Sequence, residues 1–316
     1  MISRRAWQPL LGPIAGLAIV AIVFGASVPD VFLSSMNMRT VLVQNAALIL
    51  GAVGMTFVII AGGIDLSVGS VMALSSVTTA LVLKSTGSPG TAALCGVLTG
   101  LAIGIINGLL VAGLRIAPFV ATLGTLGAAR GLAKWLAQNE RVAADPGWLG
   151  EMTVKLPVPS WLLIAPSVWV ALLTAVLAAI VLRNTVFGVH AQAIGSSEPT
   201  ARLCGVRVLR TKVLVYAISG LCAGTAGTLL FARLTVGDPT GAFGMELAVV
   251  AAVVIGGASL RGGEGTIAGS VLGALMLGLL ASGCNLRGWS NAIQEVITGG
   301  IIVLAVAIDA WPRERE

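Results

Sequence analysis

Asp65 interrupts two long apolar runs, within the segment Gly62-Gly63-Ile64-Asp65-Leu66-Ser67-Val68-Gly69-Ser70. A carboxylate in that setting suits two kinds of chemistry. It can cap a helix, accepting hydrogen bonds from exposed amides after the glycine pair has ended the preceding helix and turned the backbone. It can also border a solute path, since a charge at membrane depth is costly and usually has a task there. The residue types alone leave both readings open.

Arg130 and Lys134 stand one helical turn apart, so they share a helix face and cannot neutralise each other. Lys134 suits snorkelling toward lipid headgroups, whereas Arg130 either does the same or turns inward to a polar solute. Asn45, Asn107, Glu246 and Glu295 are the other polar side chains within or at the ends of apolar stretches. Each reads equally as helix-to-helix glue, a cap or a solute contact. Asn45, Asp65, Asn107, Arg130 and Glu246 are the candidates for a translocation path.

Several chemistries find no support in the sequence. There is no G-x-x-x-x-G-K-[ST] run to cradle nucleotide phosphates, and no nucleophile with a base beside it, so an enzyme is not expected. The four cysteines, Cys95, Cys204, Cys222 and Cys284, lack C-x-x-C spacing, and His190 has no second His or Cys near it. Neither a disulfide framework nor a metal site is expected. A row of paired carboxylates and histidines such as proton-driven carriers use is also missing.

The elements that must position these residues are apolar helices. The 316 residues are 57% hydrophobic and 10% charged, with a mean hydropathy of +0.99, against roughly 25% charged in an ordinary soluble domain. Forty-one glycines fit helices that pack closely through small faces in lipid. The expected fold is therefore all-α, a single polytopic domain over 1–316 with about ten spans, near 10–28, 41–60, 66–83, 91–113, 118–138, 161–182, 213–232, 246–260, 266–283 and 291–309. The first reads as a retained anchor, too long for a signal sequence and without a clear cleavage site.

Ten spans put both termini on one side. That side receives Arg4, Arg5, Arg115, Arg183, Arg202, Arg207, Arg210, Lys212, Arg261, Arg313 and Arg315, while the other receives Arg39, Lys84, Arg141, Lys155, Arg233 and Arg287. The bias predicts cytoplasmic termini by the positive-inside rule. The net charge of +6 then reflects orientation in a lipid bilayer, and nucleic acid is not implied. An external loop is expected over 139–160, broken by Pro146, Pro157 and Pro159, and a cytoplasmic loop over 183–212. In the latter, Ser196 or Ser197 can cap a short helix with Pro199 in its first turn and Gly205 at its end. A weak internal echo pairs Val58-Ile59-Ile60-Ala61-Gly62-Gly63-Ile64-Asp65-Leu66 with Val253-Val254-Ile255-Gly256-Gly257-Ala258-Ser259-Leu260, apolar spans each broken by a glycine pair of the kind that marks substrate paths in transporters.

Four blocks carry a resemblance over about residues 37–309: GGIDLSVGS at 62–70, PFVATLGTLGAARGLA at 118–133, AIGSSEPTARLCGV at 193–206 and VIGGASLRGGEGTIAGSVLGAL at 254–275. In this order they resemble the permease subunits of bacterial ABC importers for monosaccharides, the ribose, xylose, arabinose and galactose type. The first block is shared with branched-chain amino-acid permeases, which remain the near alternative; an ATP-independent secondary carrier is the alternative of another class. The charged outer loop, Arg261 and Glu264 depart from the family pattern. The resemblance implies a multi-pass protein of the bacterial inner membrane, paired with a second copy or a paralogue, with cytoplasmic ABC ATPase subunits and with an external sugar-binding protein. ATP and Mg would be held by the ATPase, with no cofactor in this chain. It further implies that Gly195, Glu198, Ala201, Arg202 and Gly205 belong to the coupling helix that docks on the ATPase.

Overall fold

The computed structural model describes residues 8–157 and 162–310. Arg4, Arg5, Pro159, Arg313 and Arg315 lie outside the described residues, so part of the charge bias and one proline of the external loop do too. In chain order the helices are α1 (Gln8–Ser27), α2 (Pro29–Phe32), α3 (Ser35–Ile60), α4 (Val68–Thr86), α5 (Pro89–Ala112), α6 (Pro118–Leu136), α7 (Trp148–Glu151) and α8 (Pro166–Asn184). They continue with α9 (Val186–Ser196), α10 (Glu198–Leu203), α11 (Val208–Leu234), α12 (Met245–Ile255), α13 (Ile267–Leu286) and α14 (Asn291–Ala310). Two short strands, β1 (Val142–Ala143) and β2 (Val236–Gly237), pair antiparallel with Val142 opposite Gly237. The protein is a polytopic all-α membrane protein.

Among the described residues, seven helices are long and apolar enough to cross a bilayer: α1, α3, α4, α5, α8, α11 and α13. Of the ten expected spans, the one over 246–260 forms a helix of 11 residues. That is about 16 Å long, roughly half of a hydrocarbon core about 30 Å thick. The helix stops because Gly256 and Gly257 turn the chain back, Gly257 in the left-handed region with φ +87°. The expected external connector is broken up as its prolines predicted, into β1, α7 and irregular backbone.

α3 is the centre of the bundle, buried almost throughout its second half. The closest helix contact, between α5 and α11, is made by small residues. Gly96, Gly100, Gly104 and Gly108 lie at four-residue spacing along one face of α5, and a Cβ at Gly100 would overlap the backbone of Gly220 and Gly224 on α11. In lipid, where apolar burial does little to drive helices together, such close backbone approach supplies the packing attraction.

The internal echo has a structural counterpart. At the end of α3, the Gly62 amide donates to the Ile59 carbonyl and the Gly63 amide to that of Val58; at the end of α12, Gly257 donates to Val254 and Ala258 to Val253. Both are Schellman caps with a left-handed glycine, Gly62 at φ +77°, and the loop that follows the second meets the first, the Gly263 amide donating to the Ile60 carbonyl at 2.8 Å. The α3–α4 and α12–α13 turns thus lie side by side at one end of the bundle.

Candidate functional site

The turn after Gly63 buries Asp65 to 2% exposure. One carboxylate oxygen accepts the Ser67 amide at 3.0 Å and the Ser67 hydroxyl at 2.6 Å; the other accepts the Ser219 hydroxyl of α11 at 3.0 Å. Asn107 of α5 donates to the Ser67 hydroxyl at 2.8 Å, and Thr122 of α6 donates to the Ile64 carbonyl at 3.1 Å. Asp65 is therefore the hub that ties the α3–α4 turn to α5 and α11, with α6 attached through the neighbouring carbonyl. Its two-residue reach to the Ser67 amide is the local turn expected of an aspartate ahead of a helix. The sequence singled out Asp65 and Asn107; it gave no role to Ser67, although that residue stands in the same singled-out segment, nor to Ser219 and Thr122, which carry no signal in an apolar helix beyond being small and polar.

The candidates of the expected cytoplasmic loop fall into a short helical corner. Ser197 caps α10, its hydroxyl accepting the Thr200 amide at 3.4 Å, and Gly205 ends the corner at φ +83°, as the sequence predicted. Glu198 accepts from Arg202 at 2.9 Å on one oxygen and from Lys212 of α11 at 2.6 Å on the other. The Lys212 hydrogen bond chiefly, with the charges of Lys212 and Arg202 and against partial burial, holds the Glu198 carboxyl below its ordinary range. Ala201 is buried against Ile194 and Val208, so only a small side chain fits there. Arg202, Leu203 and Cys204 project outward, Leu203 at 89% exposure.

Gly195 joins this corner to the bundle. A Cβ at 195 would overlap the Ile60 carbonyl oxygen and stand 2.5 Å from the Gly263 amide nitrogen. α9 thereby seats at once against the end of α3 and the Gly262–Gly263 bend of the α12–α13 loop, and no larger residue could make that approach.

The remaining candidates gather elsewhere. Beyond β2 the chain runs along α4: Gly237 packs against Ser76, Val77 and Ala80, and further on the Ala242 carbonyl and the Glu246 carboxylate pack against Gly69. The eleven steps from Gly69 to Ala80 span about 16 Å of helix, so α12 starts deep in the bundle, after a re-entrant segment over 238–244. Arg130 turns inward and holds that segment, donating to the carbonyls of Pro239 at 3.1 Å and Gly241 at 2.6 Å. Glu246 accepts the Gly244 amide with one carboxylate oxygen, while its other oxygen is buried without a partner. Phe243, at the turn itself, is 86% exposed. At the outer end, Arg141 pairs with Asp238 at 2.9 Å.

A pocket of about 200 Å³ opens beside this segment, lined by Ser76, Arg233, Asp238, Gly241, Ala242 and Met245 among others. Asn45 lies apart from it, on α3 against Gly278 of α13, with its amide nitrogen buried and unpartnered. The structure brings Asp65 and Asn107 together, and Arg130 together with the Glu246 segment; it does not bring Asn45 to either group. Among the described residues no group of three or more His, Cys, Asp or Glu is placed to hold a metal ion.

Comparison with known proteins adds to this geometry. The ribose import permease protein RbsC of Bacillus subtilis is 38% identical over 95% of this chain and 92% of its own length. The L-arabinose ABC transporter permease protein AraH of Azospirillum brasilense is 35% identical over 95% of this chain and 88% of its own. RbsC of Escherichia coli strain K12 is 37% identical over 94% and 92%. No solved structure matches significantly. A family model described as branched-chain amino acid transport system / permease component matches residues 37–306, a stretch that holds both glycine turns, the α9–α10 corner and the re-entrant segment, and the chain belongs to that permease family.

Proposed function

We propose that this chain is the transmembrane subunit of an ATP-driven importer and forms the path for a monosaccharide across the bacterial inner membrane. It works as one of two permease subunits, identical or paralogous, and receives sugar from an external binding protein. Both termini and the α9–α10 corner face the cytoplasm, where ABC ATPase subunits hold ATP and Mg and dock against α10. ATP hydrolysis belongs to those partners and not to this chain.

The observation that carries the reading is the seat of Gly195. An outward-facing helical corner, held rigid by Glu198 between Arg202 and Lys212, rests through Gly195 on the turns that begin α4 and α13. A displacement of α10 by an ATPase would therefore be delivered to the ends of two helices that cross the bilayer, which is the two-state lever alternating access requires. The relatives that match over most of the chain carry ribose and arabinose in their names, which favours a sugar over the branched-chain amino acid in the family description.

Reconstitution into proteoliposomes tests the function. The chain alone is expected neither to hydrolyse ATP nor to concentrate labelled ribose or arabinose, and both activities are expected once ATPase and binding protein are added. Sustained ATP hydrolysis or uphill uptake by the lone chain would refute the assignment.

A further inference from the structure

Where α5 ends and α11 begins, the surface opens into a cavity of about 450 Å³ whose lining includes Ala112, Gly113, Arg115, Arg202, Arg207 and Arg210. Four guanidinium groups bear on one concavity. Among the described residues Arg115, Arg207 and Arg210 make no ion pair, and Arg202 alone is shared with Glu198. The floor includes the first turn of α11, a 27-residue helix whose N-cap residue, Arg207, provides no side-chain cap. Free amides and the helix dipole there add to the positive field.

Such a field would be self-repelling without an anion, and planar guanidinium forks match phosphate oxygens two at a time. The surroundings select which kind of phosphate. Leu209, in the cavity lining, is exposed, as are Ile106 and Leu109 of α5 and Leu214 of α11, on two helices long and apolar enough to cross the bilayer. A ligand with a phosphate head and apolar tails satisfies both the arginines and these leucines, as basic pockets between membrane helices do for acidic lipids.

The geometry points to this cavity as a binding site for the phosphodiester headgroup of an anionic phospholipid, with its acyl chains against the exposed faces of α5 and α11. Arg202 then contacts the lipid head on one side and Glu198 on the other, so occupancy of the site bears directly on the α10 corner.

Native mass spectrometry of the full-length chain, released from detergent after titration with dioleoyl phosphatidylglycerol or dioleoyl phosphatidylcholine, tests the proposal. Phosphatidylglycerol is expected to be retained roughly tenfold more tightly than phosphatidylcholine, and its own retention to fall about fivefold in each of the single variants R115Q, R207Q and R210Q and further in the triple variant. A K84Q/R287Q variant, which removes two charges outside the cavity, is expected to bind as the parent does. Should the triple variant not fold, the single variants decide, with R207Q and R210Q each expected to show the loss. Glycerol 1-phosphate, the soluble headgroup, is expected not to displace the lipid. Equal retention of the two lipids, or arginine variants that bind unchanged, would overturn the site. Displacement by glycerol 1-phosphate would make the ligand a soluble anion and overturn the lipid assignment. Unchanged lipid retention with lost recovery of the ATPase subunits would assign the arginines to that partner instead.

Discussion

Gly195 lies against the carbonyl oxygen of Ile60, the last residue of α3, so closely that the α-carbon at 195 has no room for a side chain. The Gly263 amide donates to the same carbonyl, so one oxygen marks where α9, the α3–α4 turn and the α12–α13 turn converge. Replacing Gly195 with valine must push these three apart. We expect Gly195→Val to lower thermal stability by about 1–3 kcal/mol through overpacking and to cut sugar uptake further than the loss of folded protein explains. Uptake per folded transporter equal to wild type would contradict this.

Glu198 bridges two cations and does so as a carboxylate. Because its folded value is depressed, the stabilisation is present above the ordinary carboxylate value of about 4.3 and is lost as pH falls through the lower folded value. Recovery of the ATPase with the permease should stay flat from neutral pH to that range and decline only below it. Glu198→Lys, which sets three cations together, is expected to weaken ATPase recovery and uptake at neutral pH. Unaltered uptake in that variant would remove α10 from the coupling route.

Asp65 accepts hydrogen bonds from Ser67 and Ser219, all of them buried. Asp65→Ala leaves those donors unpaired, at roughly 1–3 kcal/mol for each buried group, whereas Asp65→Asn keeps an acceptor oxygen and should lose less. Melting in detergent should rank wild type above the asparagine variant and that above alanine. If alanine melts like wild type, the hub has no structural weight.

Arg130 holds the re-entrant segment by two backbone carbonyls. Hydrogen bonds from a charged donor are worth about 1.5–3 kcal/mol, so Arg130→Gln should loosen residues 238–244 and lower uptake severalfold. Assembly with the ATPase should survive, because the contact lies far along α4 from the α9–α10 corner. Loss of assembly with uptake falling in proportion would place Arg130 in folding alone.

What the sequence made legible follows from which forces act locally. The apolar runs, a serine cap at 196 or 197, the helix stop at Gly205 and the turn at Gly62-Gly63 are written in neighbouring residues and follow from them, whereas the span expected over 246–260 runs through Gly256-Gly257, where the chain turns back. Ser219 lies 154 positions from Asp65, and no local pattern announces that bond. The re-entrant segment was hidden for another reason. Residues 246–260 are apolar enough to read as a full crossing, and only the contacts of Gly69 with Ala242 and Glu246 reveal that α12 begins deep in the bundle. Arg130 was ambiguous in sequence between lipid headgroup and interior, and its partners are carbonyls, which every sequence possesses.

Cys204, exposed at the end of α10, offers the most direct test of the lever. In a Cys95→Ser background, with Cys222 and Cys284 buried, a membrane-impermeant maleimide should label Cys204 in inside-out vesicles and not in intact cells. Binding of the ATPase subunits should protect it. Labelling from outside the cell, or labelling that the ATPase leaves unchanged, would contradict the account.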